Sequence, residues 1–233
     1  MKTPVAWRGV TWGDAIEIAG VYVVLALYAW VRSRTISGAN VGAGRVGGRL
    51  AALLGFAATS YALGHGVHVA ANSAHDMMAA TGGADPWGLV QLWDEGIGHY
   101  LVDVGRIAFA VGLTWAESGA GGVAWLGRSD QTSERTANSS GWLAASGAVA
   151  YGFIYFATAV EGQTAPIALP FSAAFAAWSA WSARRAGARA STHAGAAPIR
   201  RFFTIAAWVA LLFFAIWGAT QGGLPEFTKV GIL

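Results

Sequence analysis

The stretch Leu50-Ala-Ala-Leu-Leu-Gly-Phe-Ala-Ala-Thr-Ser-Tyr-Ala-Leu-Gly-His65-Gly-Val-His68-Val-Ala-Ala71 contains no charged residue apart from what its two histidines can carry. A bilayer's hydrocarbon core is about 30 Å thick and takes about 20 apolar residues in helical form. A helix satisfies its own backbone hydrogen bonds, which lipid cannot do. The run therefore reads as a membrane-crossing helix. Working outward, five more such segments are found, at Asp14–Val31, Ile97–Trp115, Trp142–Val160, Pro166–Ala183 and Phe202–Thr220. The expected fold is all-α: one polytopic helical bundle spanning residues 1–233, with six transmembrane helices.

The composition agrees. The 233 residues are 55% hydrophobic and 12% charged, against about 25% charged for a soluble domain. The first apolar segment starts late, ends at Arg32 without a small-residue cleavage pattern, and reads as a retained helix instead of a cleaved signal. The net charge of +3 is no nucleic-acid signal, because the arginines collect between the apolar segments. Arg32, Arg34, Arg45 and Arg49 lie in the first such loop, Arg128 and Arg135 in the third, and Arg184, Arg185, Arg189, Arg200 and Arg201 in the fifth; the second and fourth loops have none. By the positive-inside rule the basic loops are cytoplasmic and both termini lie outside, as expected of a protein in a cell inner or plasma membrane. Trp7, Trp12, Trp87 and Trp93 suit the outer interface, and Trp30, Trp115, Trp125 and Trp181 the inner one. Pro170, inside the fifth segment, predicts a kink or a late helix start.

Cysteine is absent, which excludes disulfides, thiolate catalysis and cysteine metal sites. No lysine lies in an apolar segment, so a retinal Schiff base is excluded, and no Gly-x-Ser-x-Gly, Walker or Rossmann pattern occurs. Chemistry is concentrated elsewhere. His65, His68, Asn72 and His75 fall on one helical face, and Glu95 and His99 are spaced i, i+4. At about 1.5 Å per residue, His65 lies about 24 Å from the cytoplasmic edge, His68 about 28 Å, His99 about 27 Å and Glu161 about 28 Å. Three helices thus deliver polar groups to one layer near the outer interface, which Asp14 and Glu17 also enter. Titratable groups at that depth are costly unless paired, metallated or functional.

Imidazoles suit zinc, copper, iron and nickel. The preferred ligands are His65, His68 and His99, with Glu161 or Glu95 as fourth ligand or general base. Asn72, His75 and Asp94 would orient the imidazoles. Hydrogen bonding between helices is the simpler alternative. Asp103 and Arg106, at i and i+3, read first as a buried ion pair, or as a partner for a ligating histidine or a lipid headgroup. His193 reads as a solvated loop residue.

The run Ser60…His65-Gly-Val-His68 followed by Leu92-Trp-Asp94-Glu95 resembles the front half of the alkaline ceramidase and adiponectin-receptor group of membrane hydrolases. That resemblance implies His68 as a zinc ligand and Asp94 as the acidic partner of the zinc water. Gly64 stands in the family's serine position four residues before His68, and the family's late His-x-x-x-His has no counterpart here, so His65 and His99 would have to supply those donors.

Three functions follow as expectations. The first is a zinc-dependent hydrolase acting on a lipid-like amide or ester at the outer side of the membrane, with Glu161, Asp94 or Glu95 as base. The second is a non-catalytic subunit of a larger membrane electron-transfer complex or oligomer, holding haem or copper. The third, ranked last, is a proton relay or transporter.

Overall fold

The structure, a computed structural model, describes residues 12–38, 45–84, 88–118, 134–187 and 198–232. Lys2, Trp7, Arg8, Trp87, Trp125, Arg128, Arg189 and His193 lie outside the described residues. Six long helices account for most of the chain: α1 (Trp12–Gly38), α2 (Arg45–Ala80), α3 (His99–Ser118), α4 (Glu134–Glu161), α5 (Ala165–Gly187) and α6 (Pro198–Gln221). The described residues contain no strand. Four helices are long and apolar enough to cross a membrane, within Trp12–Trp30, Gly48–Ala80, Gly141–Glu161 and Pro198–Gln221. The other two, α3 and α5, are diluted respectively by Asp103, Arg106 and Glu117 and by a run of alanine and serine. Large apolar side chains such as Trp12, Trp30, Trp93, Trp115 and Trp181 are exposed, as expected where lipid is the solvent.

The helices pack as two triplets. Within α1–α3, α2 packs mainly against α3 and against the segment that leads into it, burying Leu54, Ala57, Tyr61, Val102 and Phe109. Within α4–α6, α6 packs against both neighbours around Phe156, Ala159, Val160, Ala210 and Phe214. Small residues let the backbones close in. A Cβ on Gly64 would lie 2.6 Å from Val102 N, and one on Gly105 would lie 2.7 Å from Tyr61 N. A serine at position 64 would therefore press its Cβ into the α3 backbone.

The triplets meet along α3, which reaches the second triplet at three levels. At its start, His99 packs on Gly162, and the Tyr100 hydroxyl donates to the Gln163 carbonyl at 3.5 Å. In its middle, Asp103 accepts from the Thr164 hydroxyl, and Arg106 Nη1 donates to Thr158 Oγ1 at 2.6 Å. At its end, the Glu117 carboxylate accepts the backbone N–H groups of Ile199 (2.9 Å) and Arg200 (2.8 Å), two of the orphan donors at the start of α6.

Three local features differ from a reading of straight, regular helices. The second apolar segment continues beyond Ala71 to Ala80. The third begins before Ile97: a turn at Leu89–Gln91 leads into a π-helical segment, Leu92–Gly98, which joins α3 directly. The fifth begins at Ala165 and runs through Pro170, so the proline sits in the second turn, where little helix precedes it.

The connection between α4 and α5 is a tight turn. Thr164 N–H bonds back to Ala159 O at 2.9 Å and Gln163 N–H to Val160 O at 3.3 Å, a Schellman arrangement. Its left-handed position is Gln163, at φ 54°, where glycine is usual. The glycine stands one residue earlier, at Gly162, because a Cβ there would enter the His99 ring.

Candidate functional site

The π-helical segment, α1, α2 and α3 converge on one cluster of imidazoles and carboxylates. His65 and His68 lie one turn apart on α2, and Glu17 of α1 faces both. His65 Nδ1 is 2.6 Å from Glu17 Oε1, and His68 Nε2 is 3.7 Å from Glu17 Oε2. On its other side, His68 Nδ1 lies 2.5 Å from Asp94 Oδ1, an ion-pair contact whose atoms meet off the axis of a good hydrogen bond. His99 Nε2 lies 3.9 Å from Glu95 Oε2. The His68 and His99 rings meet edge to face, with centroids 4.6 Å apart, and Tyr61 packs against His65 in the same manner. The site is half-buried: His65 is 16% exposed, Asp94 13% and Glu95 31%.

Local sequence explains the approach. Gly98 brings α3 against His68, since a Cβ there would lie 3.1 Å from the His68 Cβ. Gly162 does the same for His99. The π-helical turn widens the backbone where Asp94 and Glu95 leave it, so that adjacent carboxylates reach different histidines. Such π segments occur often at functional sites.

His65 and His99 therefore each have a carboxylate near one ring nitrogen, and His68 has one near each. In His65 this leaves Nε2 buried and without a hydrogen-bond partner. A carboxylate on one nitrogen and a free second nitrogen is the arrangement typical of metal-ligating histidines, with the carboxylate fixing tautomer and ring direction. Among the described residues, however, no three histidine, aspartate or glutamate side chains surround a common point at which a metal ion could be held.

The other residues singled out from the sequence are placed as follows. Glu161 is turned toward the C-terminal segment, where its Oε2 accepts the Phe227 backbone N–H at 2.9 Å. Asn72 donates to Asp14 at 3.2 Å and so ties α2 to α1. His75 is exposed. Asp103 and Arg106 form a buried pair at 3.1 Å, below the cluster. Glu17, which the sequence places only at the right depth, is the side chain that touches two histidines. Its signal was its i, i+3 relation to Asp14 in the N-terminal part of the first segment, but nothing in the sequence says which face of α1 meets α2. No family model, curated protein or solved structure matches this chain.

Proposed function

We propose that the chain is an integral membrane protein of six membrane-crossing helices, with basic loops cytoplasmic and both termini outside. Its outer cluster would bind a zinc ion through His65, His68 and His99 and hydrolyse a lipid-like amide or ester. The observation that carries this reading is His65: Nδ1 is held by Glu17 while Nε2 stays buried and unpartnered. Asp94 lies beside His68 Nδ1, whose Nε2 faces Glu17, and Glu95 lies 3.9 Å from His99 Nε2. Turning the three rings about their Cα–Cβ and Cβ–Cγ bonds is required to bring the free nitrogens to one point.

A bound zinc ion would polarise a carbonyl and lower the pKa of a water molecule to about 7. The chain's own contribution is acid–base. Asp94 and Glu95 are the carboxylates placed to take a proton beside the imidazoles, whereas Glu161 is committed to Phe227. Copper or haem iron on the same donors, in a non-catalytic subunit of a larger membrane complex, is the second reading.

Elemental analysis and a visible spectrum of detergent-purified protein test this. About one zinc per chain, colourless and lost in a His65→Ala/His68→Ala double variant, supports the hydrolase reading and calls for a lipid-substrate screen. Copper moves the reading to electron transfer. Absence of any metal overturns both and leaves an interhelical polar cluster.

A further inference from the structure

The half of the bundle away from the histidine cluster carries a second feature. There α3 and α5 both pack on α6 and leave between them an open groove of about 350 Å³. Its walls are Val111 and Trp115 of α3 and Phe171, Ala174, Phe175 and Trp178 of α5, with Thr114 the one polar residue. Val111, Trp115, Ala174 and Trp178 are exposed, so the groove opens on the side of the bundle. From Phe171 to Trp178 it runs about 10 Å along α5. That is most of the depth of one leaflet, given a hydrocarbon core about 30 Å thick.

Beyond the tryptophans the surface turns basic. Thr204 Oγ1 lies 3.0 Å from Ser179 Oγ, and Glu117 accepts the Arg200 N–H at 2.8 Å. These contacts set Arg200, one turn before Thr204, level with the end of the groove. Arg184 lies six residues past Trp178, about 9 Å along α5. Arg184 is exposed and Arg200 half-buried, and neither enters an ion pair among the described residues. From Gly162 to Pro225 the sequence has five arginines and no acidic residue. The nearby Glu117 carboxylate is occupied by the N–H groups at the start of α6. We propose that the groove binds one acyl chain of an anionic phospholipid whose phosphate is met by Arg184 and Arg200. An apolar slot open to the side admits a hydrocarbon chain, and its volume is that of a small-ligand site. The basic end selects a negatively charged headgroup. The proposal rests on the chain's place in a membrane and not on metal at the histidine cluster.

Native mass spectrometry of the full chain in detergent, titrated with dioleoylphosphatidylglycerol or dioleoylphosphatidylcholine, tests it. One phosphatidylglycerol is expected to stay bound at a several-fold lower lipid concentration than phosphatidylcholine. Ala174→Phe fills the groove from an exposed position and is expected to abolish that binding step. Arg184→Gln/Arg200→Gln is expected to reduce the preference for phosphatidylglycerol about fivefold per arginine, with phosphatidylcholine retained as before. Equal retention of the two lipids by the unaltered chain overturns the proposal without any variant having to fold. Unchanged retention of phosphatidylglycerol by folded Ala174→Phe also overturns it. So does a dimer that Ala174→Phe splits while no lipid is held, which would give the groove to a second copy of the chain.

Discussion

Glu17 of α1 and His65 of α2 meet through Oε1 and Nδ1 at 2.6 Å, and the same carboxylate presents its other oxygen to His68 Nε2 at 3.7 Å. One side chain in the N-terminal part of the first helix therefore fixes the direction of an imidazole on the second. If His65 ligates zinc, Glu17→Gln lowers zinc affinity about 10–100-fold, as removal of a ligand-orienting carboxylate does elsewhere. Competition with a chromogenic chelator measures it. Unchanged affinity would separate Glu17 from metal binding.

Gly162→Ala forces a methyl group into the His99 ring. Overpacking of this kind costs about 1–3 kcal/mol. The variant is expected to melt at lower temperature and to change the proton resonances of the His99 ring, as seen by NMR of histidine-labelled protein. A variant as stable as the parent would show that His99 can move away freely.

Gln163→Gly should act in the opposite direction. Position 163 is left-handed at φ 54°, which glycine adopts without the steric cost borne by glutamine. After allowance for the added freedom of the unfolded chain, a gain of about 0.5–1 kcal/mol is expected. Thermal or denaturant unfolding of the two proteins in the same detergent reads the sign directly.

Glu117→Ala strips the acceptor from the Ile199 and Arg200 N–H groups. Leaving buried donors unpaired costs about 1–3 kcal/mol each at most, and the loss should be local. Hydrogen exchange at the first turn of α6 is expected to accelerate, with the exchange around the histidine cluster unchanged.

Asp103→Asn leaves Arg106 without its carboxylate. Breaking one side of a buried pair costs about 3–5 kcal/mol, whereas replacing both partners with apolar residues is often nearly neutral. Unfolding of Asp103→Asn beside the Asp103→Leu/Arg106→Met double variant tests this. Equal destabilisation of the two would show that the pair's worth lies in its link to Thr164 and Thr158.

The sequence by itself determined that the protein is all-helical and suited to lipid. Both follow from counting: apolar run length sets helix length, and sparse charge removes water as the solvent. It also placed His65, His68 and His99 at one depth, because helical rise is constant. It did not determine rotation about the helix axes, which depends on where small residues such as Gly64, Gly98, Gly105 and Gly162 let neighbouring backbones approach. That rotation decided that Glu17 meets the histidines, that Asn72 turns to Asp14, and that Glu161 binds Phe227. The π-helical segment was equally hidden. Its wider turn sends Asp94 to His68 and Glu95 to His99, a pairing that regular i, i+4 spacing covers only for the second. Distances along one chain fix depth, but only packing between chain segments fixes which faces meet.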